Sequence, residues 1–149
     1  MPGHSPSGEL VGDGHRLAVR VYFEDTDFSG VVYHGALIRF LERGRSDFLR
    51  LVGIRHAELA GGRYGEQLFF AVRDLSVRFV RPARIDDLLE VATAPQRLTA
   101  ARITLAQAIA RAGEPIAEAC VEVVLIDGAG RPRRLPPALR AMLGSRRPA

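Results

Sequence analysis

From Leu17 the chain alternates: Leu17, Val19, Val21 and Phe23 take every second position, with Ala18, Arg20 and Tyr22 between them. A period of two sends successive side chains to opposite faces, so this stretch predicts a half-buried strand. Over residues 31–52 the period becomes helical. Leu37, Phe40, Leu41, Phe48, Leu51 and Val52 form one stripe, Gly44 lies on it, and Gly53 ends the run. The other side carries Arg39, Glu42, Arg43, Arg45, Asp47 and Arg50, which predicts an amphipathic helix of about 30 Å at 1.5 Å per residue. Gly44 predicts a place where another backbone passes close to the helix.

A short helical piece is expected over His56–Ala60, then a turn at Gly61 and Gly62. Four strand-like segments follow, at residues 74–79, 88–94, 101–111 and 116–126, with turns predicted at 81–86, 95–99 and 112–115, the last a hairpin signal. One strand, one long helix and a run of strands predict an α+β domain in which an antiparallel sheet of about five strands packs on a single helix. Such a sheet keeps an open face and open edges, so oligomerisation is expected to cover them.

Residues 1–14, rich in Gly, Ser and Pro and without periodicity, read as a mobile segment ahead of a domain over 15–143, and residues 144–149 read as a basic tail. With 149 residues and 47% hydrophobic composition the chain makes one domain with a real core. No apolar run approaches the roughly 20 residues of a membrane span, and the N-terminal residues lack the basic-then-apolar pattern of an export signal. A cytoplasmic location is expected.

The net charge of +4 comes from arginine alone, since the chain contains no lysine, and much of the excess lies in 131–147. No zinc-ligand spacing, aromatic RNA-binding strand or helix-turn-helix pattern accompanies it, so nucleic-acid binding is not expected. The single cysteine, Cys120, has no internal partner for a disulfide and sits in an apolar stretch, which predicts buried packing.

The strand-to-helix junction YFEDTDFSGVVYH is the place for chemistry. A helix N-terminus offers unpaired N–H groups and partial positive charge, and Asp27 lies just before it. Two readings of Asp27 compete on local grounds: a helix cap worth about 1 kcal/mol, or a carboxylate that shares an acyl-transfer site with those N–H groups.

EDTDFSGVVYH, then RFLERGR and VRFVRPARIDDLLEV, resemble the hot-dog-fold acyl-CoA thioesterases, and most of all their Tol-Pal-associated, YbgC-like group, related to 4-hydroxybenzoyl-CoA thioesterase. The resemblance covers residues 19–143. It implies a hot-dog fold, a long central helix wrapped in a curved antiparallel sheet, assembled as a homodimer or homotetramer with sites at the subunit interface. It implies an acyl-CoA substrate and no metal or redox cofactor. By the same likeness Asp27 is the catalytic carboxylate, as nucleophile or general base, and Gly30 is the turn glycine. The Tyr33 and His34 backbone amides polarise the thioester oxygen, the His34 side chain orients water or steadies the carboxylate, and Arg81 and Arg84 grip CoA phosphates.

Glu24 and Asp25 are expected to be structural neighbours, and Glu42 with Arg45 an ion pair or interface contact, with a direct role in the site as the alternative. The chain departs from the resembled pattern at Ala36 and Leu37, where Asn or Ser followed by an aromatic residue is common. Two rival readings stand beside hydrolysis: a hot-dog dehydratase on hydroxyacyl thioesters, for which His34 is essential, and a non-catalytic module that binds an acyl carrier protein or lipid enzymes.

Overall fold

The computed structural model describes residues 5–144, so residues 1–4 of the predicted leading segment and 145–149 of the predicted tail lie outside the described residues. The strands are β1 (Glu9–Val11), β2 (Gly14–Arg20), β3 (Leu68–Phe79), β4 (Leu88–Leu98), β5 (Ile103–Arg111), β6 (Glu114–Asp127) and β7 (Pro132–Arg133), and the helices are α1 (His34–Val52), α2 (His56–Ala60) and α3 (Pro137–Gly144). All strand pairings are antiparallel, in one seven-stranded sheet of order β1-β2-β4-β5-β6-β3 with β7 beside β6. The five expected strands are its long members; β1 and β7 are short additions. β1 forms within residues read from sequence as lacking periodicity, because three residues paired to β2 are too few to show a period.

Several boundaries move, each for a local reason. The predicted first strand stops at Arg20, since Phe23–Asp25 winds into a single 3₁₀ turn held by Asp25 Oδ2, which accepts the Tyr22 N–H at 2.9 Å. α1 starts at His34 and not near Val31, because Val31 and Val32 bridge to Arg84 and Thr26. The expected turn at 95–99 is instead the end of β4. Pro95 pairs with Leu105 of β5 beside a register shift between Pro95 and Arg97, and β2 only begins opposite Thr93, so Pro95 sits at a bulge near a free edge, where a missing N–H is tolerated.

The strand expected at 74–79 begins six residues earlier, at Leu68. A bulge between Val72 and Asp74 shifts the phase of the alternation, so Val72 and Leu75, three apart, both oppose inward-facing valines of β6. The hairpin at residues 112–115 forms as expected: Ala112 and Gly113 both take positive φ, the geometry of the tight turns whose twist matches the strands. α3 escaped the pattern reading among the arginines, although Leu139 and Leu143, four apart, are its buried positions.

Cys120 is exposed, contrary to expectation. The reason is phase: Val121, Val123 and Leu125 take the buried positions of β6, which leaves Cys120 on the outer face near Gln96.

α1 packs over β2, β4 and β5 through Ala36, Leu37, Phe40, Leu41, Phe48 and Leu49. The core falls into two apolar clusters, one under the first half of α1 and one under the second. A buried polar row separates them, in which Arg45 Nη1 donates to Gln107 Oε1 at 3.1 Å while Gln107 Nε2 donates to Leu41 O at 2.9 Å and Thr93 Oγ1 at 2.8 Å. Arg45, expected on the polar side of the helix, is therefore buried, and that burial pulls its pKa down while the negative charge of Glu42 opposes the shift.

Gly44 is a close-approach site, with side chains of β4 and β5 as its neighbours in place of the backbone expected: an added Cβ would lie 2.7 Å from Val91 Cγ1 and 3.2 Å from Thr93 Oγ1. Gly44→Ala should destabilise the protein. The helix preference of Ala, about 1 kcal/mol, is outweighed by displacing fully buried Val91, an overpacking cost of about 1–3 kcal/mol. Urea denaturation at fixed protein concentration measures the balance, and a midpoint at or above wild type would show that the sheet yields freely there.

Candidate active site

The chain between β2 and α1 is a stack of short-range hydrogen bonds that aims one carboxylate outward and one inward. Asp25 is the inward one. It is 6% exposed, its Oδ2 holds the Tyr22 N–H, and Arg39 lies 3.5 Å from its Oδ1, which makes it the structural neighbour expected. Asp27 is the outward one. Its N–H donates to Val31 O at 2.9 Å and its carbonyl accepts the Gly30 N–H at 3.1 Å, closing a tight turn. Gly30 sits at φ +85 with nothing within 4 Å of an added Cβ, so the turn needs glycine for its backbone angle and not for space.

The Asp27 carboxylate caps its own turn. Oδ1 accepts the Ser29 N–H at 2.8 Å and the Ser29 hydroxyl. These two bonds, hydroxyl first, outweigh slight desolvation and hold its pKa below the ordinary carboxylate value, so Asp27 is an anion in open view. It does not cap α1: the N-cap is Tyr33, without any side-chain cap. The α1 N-terminus therefore keeps its backbone donors for something else.

Which donors those are differs from expectation. The Tyr33 N–H, expected to polarise a substrate oxygen, is already given to Asp25 O at 2.9 Å. Ala36 and Leu37 donate back to Tyr33 O, whereas the His34 and Gly35 amides have no acceptor among the described residues. The amides left without an acceptor at the helix terminus are thus those of His34 and Gly35, and not that of Tyr33.

The His34 imidazole packs between aromatic rings, 4.5 Å from the Tyr33 centroid and edge-on to Phe79 at 6.2 Å, and makes no hydrogen bond to Asp27. His34, Val32, Phe79 and Pro82 line a cavity of about 250 Å³ at the helix terminus. Leu37 joins that lining from the edge of the core, while Ala36 is buried in the core and does not reach the cavity.

Arg81 and Arg84 part company. Arg81 reaches Pro115 O at 3.3 Å and Glu114 at 3.8 Å. Arg84 bridges through its backbone to Val31, beside the Asp27 turn, while its guanidinium forms no hydrogen bond or ion pair among the described residues and acts on Asp87 only through its field. Ser29 and Phe79 are members of the site that sequence reasoning missed. The Asp-x-Ser spacing is a turn signal that would have found Ser29; nothing local marks Phe79. Among the described residues no group of His, Cys, Asp and Glu is placed to hold a metal ion, and no helix is long and apolar enough to cross a membrane.

Residues 21–143 match the model of a family described as the thioesterase-like superfamily. The chain is 38% identical over 128 residues to the acyl-CoA thioester hydrolase YbgC of Escherichia coli, covering 85% of this chain and 92% of that protein. It is 34% identical over 133 residues to the acyl-CoA thioesterase YbgC of Haemophilus influenzae, covering 89% and 96%. The crystal structure of a probable thioesterase from Bartonella henselae superposes with a TM-score of 0.81 at 49% identity, covering 83% of this chain and 99% of that one.

Proposed function

The chain belongs to the thioesterase-like superfamily, and on that footing we propose that it hydrolyses acyl-CoA thioesters to a free acid and CoA. The observation that carries this reading is the pairing of an exposed, anionic Asp27 with an uncapped helix terminus whose His34 and Gly35 amides are unused. Those two amides, with the positive end of α1 behind them, receive the thioester oxygen as it gains charge, while the Asp27 carboxylate assists attack at the carbonyl carbon. The His34 ring, packed between Tyr33 and Phe79, shapes the wall of the cavity. Arg84 offers its guanidinium to the CoA phosphates, with Arg81 as a partly committed second. The protein works in the cytoplasm as a homodimer or homotetramer that closes the open sheet edge, and a pantetheine thioester on an acyl carrier protein presents the same reacting group.

The test is a panel of acyl-CoA and acyl-carrier thioesters, short to long and aliphatic to aromatic, followed with a thiol reagent. One thiol per turnover is expected. An enoyl thioester with no thiol released would establish the dehydratase instead, and binding without turnover on every substrate would establish the carrier-binding module.

The pH profile adds a residue-level check. Activity needs the Asp27 anion, so it holds above the depressed Asp27 pKa and falls as pH drops through it. Ser29→Ala removes the hydroxyl that contributes most to the depression, so the acid limb of kcat/KM should move to higher pH. A limb that stays in place would mean that Asp27 is not the titrating group.

A further inference from the structure

The charge of this chain is unevenly divided. Residues 1–127 hold fifteen arginines against all seventeen carboxylates, whereas residues 128–149 hold six arginines and no acidic residue. The Asp27 junction uses none of that excess.

The fold brings part of it to one end of the sheet. β7 pairs with β6 at Leu125 and Ile126, and Leu68 of β3 pairs with Asp127. The junction lies beside Phe79, at the other end of β3, roughly 35 Å away along the strand at about 3.3 Å per residue. A cavity of about 470 Å³ opens at the Leu68 end, lined by Arg73, Arg133 and Arg134 together with Ala101, Val124 and Pro132. Val121, Val123 and Leu125 take the inward positions of β6, so Val124 and this cavity belong to the outer face of the sheet, away from α1.

Carboxylates hold the arginines in place without neutralising them. Arg133 reaches Glu66 and Asp127, each at 3.0 Å, and Arg131 reaches the same Asp127 at 3.2 Å. Glu122 lies between Arg102, at 2.8 Å, and Arg73, at 3.8 Å. The Arg134 guanidinium forms no hydrogen bond or ion pair among the described residues. Five guanidinium groups thus meet three carboxylates, and the cavity gives an outside anion room beside them.

Guanidinium groups take phosphate oxygens two at a time, which makes a phosphate ester the fitting ligand. An excess that continues from Arg131 to Arg147 along the sequence matches an array of phosphates better than one isolated anion. Leu135, Leu139 and Leu143 are buried and Met142 packs against their cluster, so the C-terminal run has arginines to offer a surface and no large apolar side chain to insert into it. Contact with a bilayer is therefore electrostatic.

We propose that this outer face binds the phosphate headgroups of an anionic lipid bilayer, one headgroup seated between Arg73, Arg133 and Arg134. The thioesterase reading neither supports nor depends on this surface, and its substrate panel is a separate measurement.

The experiment is flotation of the full chain with vesicles of phosphatidylcholine alone and of phosphatidylcholine mixed with phosphatidylglycerol. Binding is expected only to the mixed vesicles at about 0.05 M salt, with release at about 0.5 M, where screening confines attraction to a few Å. One arginine near an anionic surface strengthens binding about fivefold, so Arg73→Gln with Arg134→Gln should weaken it about 25-fold. Glu122 keeps Arg102, and Arg134 has no partner to lose, so the double variant should fold, which a urea midpoint matching wild type checks. Arg43→Gln removes the same kind of charge from the exposed side of α1, on the other side of the sheet, and should change binding less than about twofold.

Absence of binding to the mixed vesicles, equal binding to both kinds, or an equal loss from Arg43→Gln would overturn the proposal. So would displacement from the vesicles by micromolar free CoA, which would give the cavity to a soluble phosphate ligand. Capture on immobilised polyglutamate by a protein that ignores the vesicles would give it to an acidic protein and overturn the lipid assignment as well.

Discussion

Asp27→Asn is expected to lower kcat for acyl-CoA hydrolysis by about 10²- to 10⁴-fold, the usual contribution of a group that attacks or moves a proton in the transition state, while leaving the fold intact. Asparagine keeps the size and an oxygen that accepts from Ser29, so the turn from Asp27 to Gly30 should persist. What disappears is the negative charge. Because the side chain is exposed and lies outside the core, a lower rate cannot be assigned to unfolding, and matching urea midpoints for both proteins confirm this. KM should change little, since the lost interaction belongs to the reacting state. Turnover within tenfold of wild type would remove Asp27 from the mechanism.

The second large effect is on stability. Gln107→Leu should destabilise the protein by about 3 kcal/mol, a midpoint drop of about 10 °C for a domain of this size. Gln107 is 4% exposed and makes three hydrogen bonds, and leucine fills a similar volume while making none. Leu41 O sits within α1 and keeps its helical partner, so its loss is small. Arg45, 8% exposed, is left with a buried guanidinium lacking its side-chain acceptor, and the Thr93 hydroxyl loses its donor.

Removing one partner of a buried charged contact costs more than removing both. The double variant Arg45→Met with Gln107→Leu should therefore lose less stability than the sum of the single variants. Thermal denaturation at one protein concentration checks both statements, and strict additivity would show that the two side chains do not share an interaction.

Much of this molecule was legible in its pattern of polar and apolar residues. The long helix, its C-terminal stop at Gly53, α2 and the five long strands follow from periodicity, and the antiparallel sheet on one helix follows from their order. Misreadings occur where two periods meet or where phase slips. The bulge after Val72 hid the first half of β3, and Pro95 was read as a turn because its place in β4 depends on a register shift against β5 and on where β2 begins. Arg45 looked like a surface residue because its acceptor is 62 residues away on β5.

At the candidate site, Asp27, Gly30 and the helix terminus were legible because they interact over a few residues, which a local motif specifies. Which first-turn amide is unused was not, because it depends on Asp25 O reaching across the 3₁₀ turn to the Tyr33 N–H. The placing of Phe79 against His34, the separation of Arg81 from Arg84, and the meeting of Arg73 with Arg133 and Arg134 at one cavity belong to the fold alone. The sequence by itself determined the elements and the chemistry at their one short junction, since hydrogen bonding over a few residues and a hydrophobic period are local quantities. The tertiary structure decided which donors are spent, which charges are buried and which distant groups face one cavity, since each depends on strand registers set by packing over the whole sheet.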